Sequence, residues 1–211
     1  MFPVEIRTDR LSLRRATREE VSPRECYDYC REDADGIDEV TEYVPWDPHA
    51  TPKESRDYLV RCEERWDDGE AAAYVVRPRE GEDGAGEFAG MAGLDFQWDR
   101  DTAVFGTWLR KRFWGRGYSG ERARAFFEVA FGEFDVSLCA VEHISGNEKS
   151  EAAIRRYVEA AGGRREGEFR NRIERDGDPA PAVRYSVSQE EWREAGGERT
   201  ATLRWTDEAS E

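Results

Sequence analysis

"KRFWGRGYSGERA", residues 111–123, sets Gly115 and Gly117 two apart where a strand-like segment hands over to a helical one. Glycine reaches backbone conformations closed to other residues and lets amide N–H groups crowd toward a ligand. Several such amides at a helix N-terminus make an anion site. Arg112 and Arg116 add positive charge beside it. The residues that follow put Ala123, Phe126, Phe127, Ala130 and Phe131 on one face, at spacings of 3, 4, 7 and 8, which predicts an amphipathic helix. A strand, a glycine turn and a helix in succession hold a phosphate, and the question is which one.

Three phosphate groups suit such a turn. A Walker loop needs Gly-Lys-Ser/Thr, and the stretch has none. Gly115-x-Gly117-x-x-Gly120 has the dinucleotide count. That fingerprint, however, opens a βαβ unit and is followed by an acidic residue ending a second strand ~20 residues on. Here four strand-like segments precede it and the pattern is not repeated. The third group is the pyrophosphate of coenzyme A.

Outward from the turn, residues 4–14 alternate as one strand, and 16–33 read as helical around Pro23, which starts or kinks a helix. Residues 43–50, "YVPWDPHA", form an aromatic, proline-rich loop. Thr51, Pro52 and Glu54 spell a capping box, and Leu59, Cys62 and Trp66 give its helix a buried stripe. Residues 71–79, 88–98 and 102–110 read as strands, with "REGEDGAGE" (79–87) a glycine- and acid-rich hairpin loop. Residues 136–144 are an apolar strand, and 147–161 a helix stopped by Gly162–Gly163. Segments on either side of "DGDP" form an antiparallel hairpin, and Ser188 with Glu191 caps a short helix. Residues 201–211 read as an edge strand or a frayed tail. The order predicts an α/β (α+β) class, with one main domain over 1–189 and a short helix and tail over 190–211.

Composition narrows the setting. Among 211 residues, 47 are Asp or Glu and 32 are Lys or Arg, for a formal charge of −15. Lys stands only at 53, 111 and 149. Abundant acid with scarce lysine suits a salt-adapted cytoplasm, where screening relieves self-repulsion. The same charge argues against nucleic-acid or membrane-surface binding. Cys26, Cys30, Cys62 and Cys139 stand at no zinc spacing with His49 or His143, so no metal is expected and free buried thiols are. The first ten residues lack a signal peptide's apolar core, and no run reaches the ~20 apolar residues of a membrane span.

Four stretches in order carry a family resemblance: "TDRLSLR" (8–14), "FWGRGYSGE" (113–121), "NEKS" (147–150) and "GGRREG" (162–167). In these the chain resembles the GNAT N-acetyltransferases, in the branch of the ribosomal-protein acetyltransferases RimJ and RimL. The resemblance implies a GNAT-like mixed, mostly antiparallel sheet of about seven strands, flanked by about four helices. Strands four and five, residues 103–110 and 136–144, splay apart. The pantetheine arm of acetyl-CoA then pairs with the exposed backbone as an extra strand. Trp108, Leu109, Arg110, Arg112, Phe113, Trp114, Gly115, Arg116, Gly117, Tyr118 and Ser119 line the cofactor, with Asn147 and Ser150 behind them. An amide near Leu109 stabilises the oxyanion. The acceptor is a primary amine, a protein N-terminus first and a small amine (polyamine, amino acid or antibiotic) second, attacking directly in a monomer or homodimer; a non-catalytic acyl-CoA-binding sensor is the alternative.

Proton handling leaves alternatives. An α-amine has a pKa of ~7.7–8.0 against ~10.4 for Lys, so a weak base or water suffices. The resemblance nominates Ser150 as the acid for the leaving thiolate. The helix from Asn147 to Gly162 is about one turn longer than the family's, and Gly163 replaces its usual Phe. Tyr157 therefore competes with Ser150, and Glu174 is a candidate proton acceptor. Trp46, Asp47 and His49 lie in the loop that receives the family's acceptor, where packing of a Trp-Pro cluster is the plainer alternative. Trp114 equally serves as an anchor of the turn in the core.

Overall fold

The computed structural model describes residues 2–175 and 177–206. One sheet runs through it in the order β7-β8-β6-β5-β4-β3-β2-β1-β9. The strands are β1 (Glu5–Arg7), β2 (Leu11–Arg15), β3 (Ala71–Pro78), β4 (Gly90–Gln97), β5 (Thr102–Leu109), β6 (Leu138–Ile144), β7 (Arg164–Arg175), β8 (Asp178–Ser188) and β9 (Thr202–Arg204). Six α-helices accompany them: α1 (Pro23–Cys30), α2 (Ile37–Thr41), α3 (Pro52–Asp67), α4 (Tyr118–Gly132), α5 (Glu148–Ala160) and α6 (Gln189–Glu194). Every strand pairing is antiparallel except β5 with β6.

Nine strands replace the expected seven for two reasons. The alternating segment 4–14 folds on itself, because the Thr8 amide and hydroxyl both reach the Leu11 carbonyl and turn the chain. Both arms keep one period of alternation, so the bend is invisible in the pattern. Near the C-terminus, Thr202–Arg204 adds an edge strand to β1, and residues 207–211 of the expected tail lie outside the described residues. Residue 176 of the expected "DGDP" turn also lies outside them. Six helices replace about four because α2, at five residues, is too short to print a helical period. The parted strands are consequently β5 and β6, not the fourth and fifth.

Local signals explain most helix ends. Ser22 accepts from the Glu25 amide and Pro23 opens α1, so Pro23 starts the helix and residues 16–22 stay outside it. Ser188 and Glu191 close a full capping box on α6. Thr51 caps α3 by position only: its hydroxyl takes no amide, while Glu54 accepts from the Ala50 amide. Gly163 sits where an added Cβ would lie 2.2 Å from the Ser186 carbonyl, so the chain passes β8 too closely for a side chain there.

The sheet separates two apolar clusters. Phe105, Phe126, Phe127, Tyr157 and Tyr185 belong to the larger, which α4 and α5 cover. Cys26, Cys30, Leu59, Val75, Phe88 and Met91 form the smaller, under α1 and α3. No helix among the described residues is long and apolar enough to cross a membrane.

β5 and β6 part partway along their length. Their pairs run from Thr102↔Leu138 to Phe105↔Val141 and stop. Beyond that point β4 keeps β5 to Leu109, and β8 keeps β6 to Ile144. Gly90 makes the β4 hold possible, since a Cβ there would stand 2.2 Å from the Trp108 carbonyl. Gly90→Val is therefore expected to cost about 1–3 kcal/mol of stability, read by denaturant unfolding; an unchanged midpoint would contradict this account of the hold.

Candidate active site

Beyond Phe105 the inner edge of β5 has no strand partner. In an antiparallel ladder each residue directs both backbone groups to one side, and successive residues alternate. The Arg110 amide donates to the Ala89 carbonyl, toward β4. The backbone groups of Leu109 and Thr107 consequently face the gap. The Leu109 carbonyl is taken by the Trp114 indole N–H at 2.7 Å, which leaves the Leu109 amide directed inward. A cleft of about 1450 Å³ opens along this edge, between β5 and β6 and under the N-termini of α4 and α5.

At its mouth stands the glycine turn. Gly115 and Gly117 have φ of 73° and 80°, the left-handed region that excludes most side chains. Gly117 is the N-cap of α4 with no side-chain cap, and the Glu121 amide is the one that bonds back to its carbonyl. The amides of Tyr118, Ser119 and Gly120 thus have no partner within the helix, as an anion site requires. Gly120 itself is helical, and a Cβ there would meet Tyr157 at an ordinary 3.9 Å.

The opening motif of the chain braces this turn. Buried Glu121 accepts from the Thr8 hydroxyl at 2.5 Å, the Arg10 amide at 2.8 Å and Arg10 Nε at 2.7 Å. Arg10 Nη1 then donates to the Arg116 carbonyl. Residues far apart in sequence therefore fix the carbonyl between the two glycines. Thr8, Arg10 and Glu121 were not singled out from sequence, because their link exists only when the β1–β2 hairpin meets α4.

The predicted cofactor residues divide. Trp108, Leu109, Phe113, Trp114, Gly115, Gly117, Tyr118, Ser119, Asn147, Ser150 and Tyr157 all border the cleft. Phe113 and Tyr118 do so from beneath, each 1% exposed and packed into the core. Arg110, Arg112 and Arg116 turn away. The Arg110 guanidinium stacks on Tyr29, 3.7 Å from the ring centre, and Nη1 bonds the Phe88 carbonyl. Arg112 pairs with Glu87 at 2.7 Å, and Arg116 with Asp83 at 2.7 Å. The Tyr118 hydroxyl donates to Glu82. The acidic 79–87 loop thus folds back over the turn and pairs with its arginines, while the amides at the start of α4 stay free of helix partners. Hydrogen bonds from Arg116 and Arg112 hold the Asp83 carboxyl below its usual range.

On the α5 side, Asn147 caps the helix, its Oδ1 accepting from the Ser150 amide at 3.0 Å. The Ser150 side chain borders the cleft half-buried, whereas the Tyr157 hydroxyl is buried with no hydrogen-bond partner. Burial pushes Tyr157 above the ordinary tyrosine pKa, and the nearby Arg122 opposes that. Glu174 stands exposed near the tip of the β7–β8 hairpin, opposite Pro179 and off the cleft wall. The carboxylate that does reach the gap from β6 is Glu142. Burial raises its pKa, but hydrogen bonds from Arg172 and Arg184 prevail and hold it low.

The predicted acceptor residues lie on the other face. The Trp46 ring is 5.3 Å from Trp108, whose backbone edges the gap, and Asp47 is exposed. His49 is pinned to the end of α1, its amide donating to the Cys30 carbonyl and its Nδ1 2.7 Å from Ser55 Oγ. The fold also brings the donor atoms of Cys26, Cys30 and His49 within 4.8 Å of one another. Their linear spacing gave no sign of this, since the contact forms only when the 43–50 loop closes on α1.

Comparison with known proteins follows the same lines. A family model described as an acetyltransferase (GNAT) domain matches residues 10–157. Among curated proteins, no sequence matches the chain. Among solved structures, the ribosomal-protein-S5-alanine acetyltransferase from Vibrio fischeri superposes with a TM-score of 0.70 at 16% identity, covering 90% of this chain and 98% of that one. RimL, the ribosomal L7/L12 alpha-N-protein acetyltransferase, in complex with coenzyme A, gives 0.70 at 19%, covering 89% and 97%. The microcin C7 self immunity acetyltransferase MccE, in complex with acetyl-CoA and AMP, gives 0.70 at 17%, covering 85% and 93%. At such identities the likeness is one of fold.

The turn gives a paired test. Gly117→Val forces a β-branched residue into a left-handed conformation and should weaken coenzyme A binding at least about ten-fold by calorimetry, with far-UV circular dichroism nearly unchanged. Gly120→Ala, which has room, should bind as the parent does. Equal affinity in all three would remove the turn from the binding site.

Proposed function

The chain belongs to the GNAT acetyltransferase family, and from that premise we propose that it transfers the acetyl group of acetyl-CoA to a primary amine, foremost a protein N-terminal α-amine. One observation carries the reading: two parted strands with an amide-rich glycine turn at the open end. The turn suits a pyrophosphate, and the unpaired edge of Thr107 and Leu109 suits the amides of a pantetheine arm. Coenzyme A would supply an activated acyl carbon at a thioester. The protein's own part is then alignment of two reactants and support of charge as it develops.

The acceptor reaches the gap from the α1–α3 face, past Trp108 and Trp46. Glu142, held ionised by two arginines, is a weak base. That suffices for an α-amine, a good part of which is already neutral near pH 7–8. RimL and the S5 enzyme are acetyltransferases of ribosomal proteins, which supports the same class here. A small cationic amine is the second reading. The overall charge of −15 favours it. That charge with only three lysines also supports a salt-adapted cytoplasm as the setting.

The test is thiol release from acetyl-CoA in molar salt, with a panel of N-terminal peptides and their N-blocked forms, polyamines and amino acids. Turnover with free but not blocked peptides is expected. Turnover on polyamines alone would favour the second reading, and tight binding of acetyl-CoA without turnover on any acceptor would make the chain an acyl-CoA sensor.

A further inference from the structure

Arg122 is the anomaly of the molecule. It lies one turn into α4 and is 2% exposed. Its Nε and Nη1 find no hydrogen-bond partner, and among the described residues no carboxylate pairs with it. Its guanidinium rests instead on rings, 5.0 Å from the centre of Phe126, 5.8 Å from Phe105 and 6.0 Å from Tyr157. The Tyr157 hydroxyl beside it is also buried; each is the other's polar neighbour, but no properly formed hydrogen bond joins them, and both side chains border the cleft. A buried, unpaired cation is among the costliest features a fold can keep, and replacing it with an apolar side chain ordinarily stabilises. Its retention at a ligand cleft therefore points to something the ligand brings.

Position identifies that something. The glycine turn lies just beyond Leu109, at the open end of the gap. The gap closes at Phe105 and Val141, the last β5–β6 pair. Leu109 is four strand steps from Phe105, about 13 Å of rise, a span that suits a pantetheine arm. A cofactor anchored by its pyrophosphate at the turn runs its arm toward the closed end, so its sulfur and thioester oxygen come beside Arg122 and nearer the Thr107 amide than the Leu109 amide that the resemblance implied. Resting on the acetyltransferase reading above, we propose that Arg122 is a catalytic residue that stabilises the negative charge on the coenzyme A sulfur as the acyl group leaves.

The chemistry balances without further reagents. The neutral acceptor nitrogen forms the new C–N bond to the acyl carbon. The C–S bond breaks, and its electron pair goes to sulfur. Arg122 faces that charge, and Tyr157 stands close enough to give it a proton and regain one from water. The proton lost by nitrogen passes to water at the acceptor face. An acyl-thioester is neutral, so the cation has no partner in the ground state and gains one only as the bond breaks. Interactions stronger in the transition state than before it are those that raise kcat. Arg124 on α4 and Lys149 and Arg156 on α5 also border the cleft, and two of its carboxylates are engaged. Glu142, on β6, is held by Arg172 and Arg184. Glu128, on α4, is taken by the amides of Thr200 and Ala201.

The experiment titrates bound coenzyme A by its ultraviolet thiolate absorbance in the parent, R122M and R122K, with calorimetry for affinity and steady-state kinetics alongside. The thiol bound to the parent should ionise about one to three pH units below that bound to R122M, with R122K between. R122M should melt no lower than the parent, lose about 10²-fold in kcat and keep its KM for acetyl-CoA. An unchanged thiol titration in R122M, with coenzyme A still bound, overturns this inference alone. So does a raised KM at constant kcat, the mark of a ground-state contact. Failure of the parent to bind coenzyme A overturns the acetyltransferase reading and this inference with it.

Discussion

Backbone hydrogen bonding that two neighbouring strands cannot complete governs this molecule. β5 is committed to β4 as far as Leu109, and β6 is committed to β8 as far as Ile144. Past Phe105 and Val141 the two strands diverge, and their facing edges no longer pair. Unpaired backbone groups inside a fold are costly, so a gap of this kind persists only where something fills it. The glycine turn, the bare N-terminus of α4 and the capped N-terminus of α5 all converge on that opening.

Long-range braces keep the opening in shape. Glu121 takes three hydrogen bonds from the Thr8–Arg10 turn, and Arg10 reaches on to the Arg116 carbonyl. The acidic 79–87 loop then ties down Arg112 and Arg116. A chain with 47 acidic residues has thus spent some of them to shield its own anion site. Most of these pairs are partly exposed, where each contributes little by itself and less at high salt. Glu121 is different, being buried and fully engaged, and it links the first hairpin to the mouth of the cleft.

Much of this was legible in the residues. Gly115 and Gly117, followed by an apolar face at Ala123 and Phe126, gave strand, turn and helix in the right places. Asn147 and Gly162–Gly163 bounded α5 as expected. What escaped was whatever depends on two distant segments meeting. The fold of 4–14 into two strands keeps one alternation throughout. Arg112 and Arg116 looked like added charge for a phosphate, and Arg110 like a cofactor contact, because their acidic and aromatic partners lie elsewhere in the chain. Arg122 carried a faint signal, four residues before Phe126 and so on the apolar face, but an arginine in a charge-rich sequence reads as solvated. The cluster of Cys26, Cys30 and His49 had none.

Amide hydrogen exchange with and without coenzyme A, in molar salt, probes the parted strands most directly. The account predicts new protection at the amides of Thr107 and Leu109 and across residues 115–120, with the β5–β6 pairs up to Phe105 already protected in the free protein. Full protection of Thr107 and Leu109 without ligand, or none gained on adding it, would contradict the account.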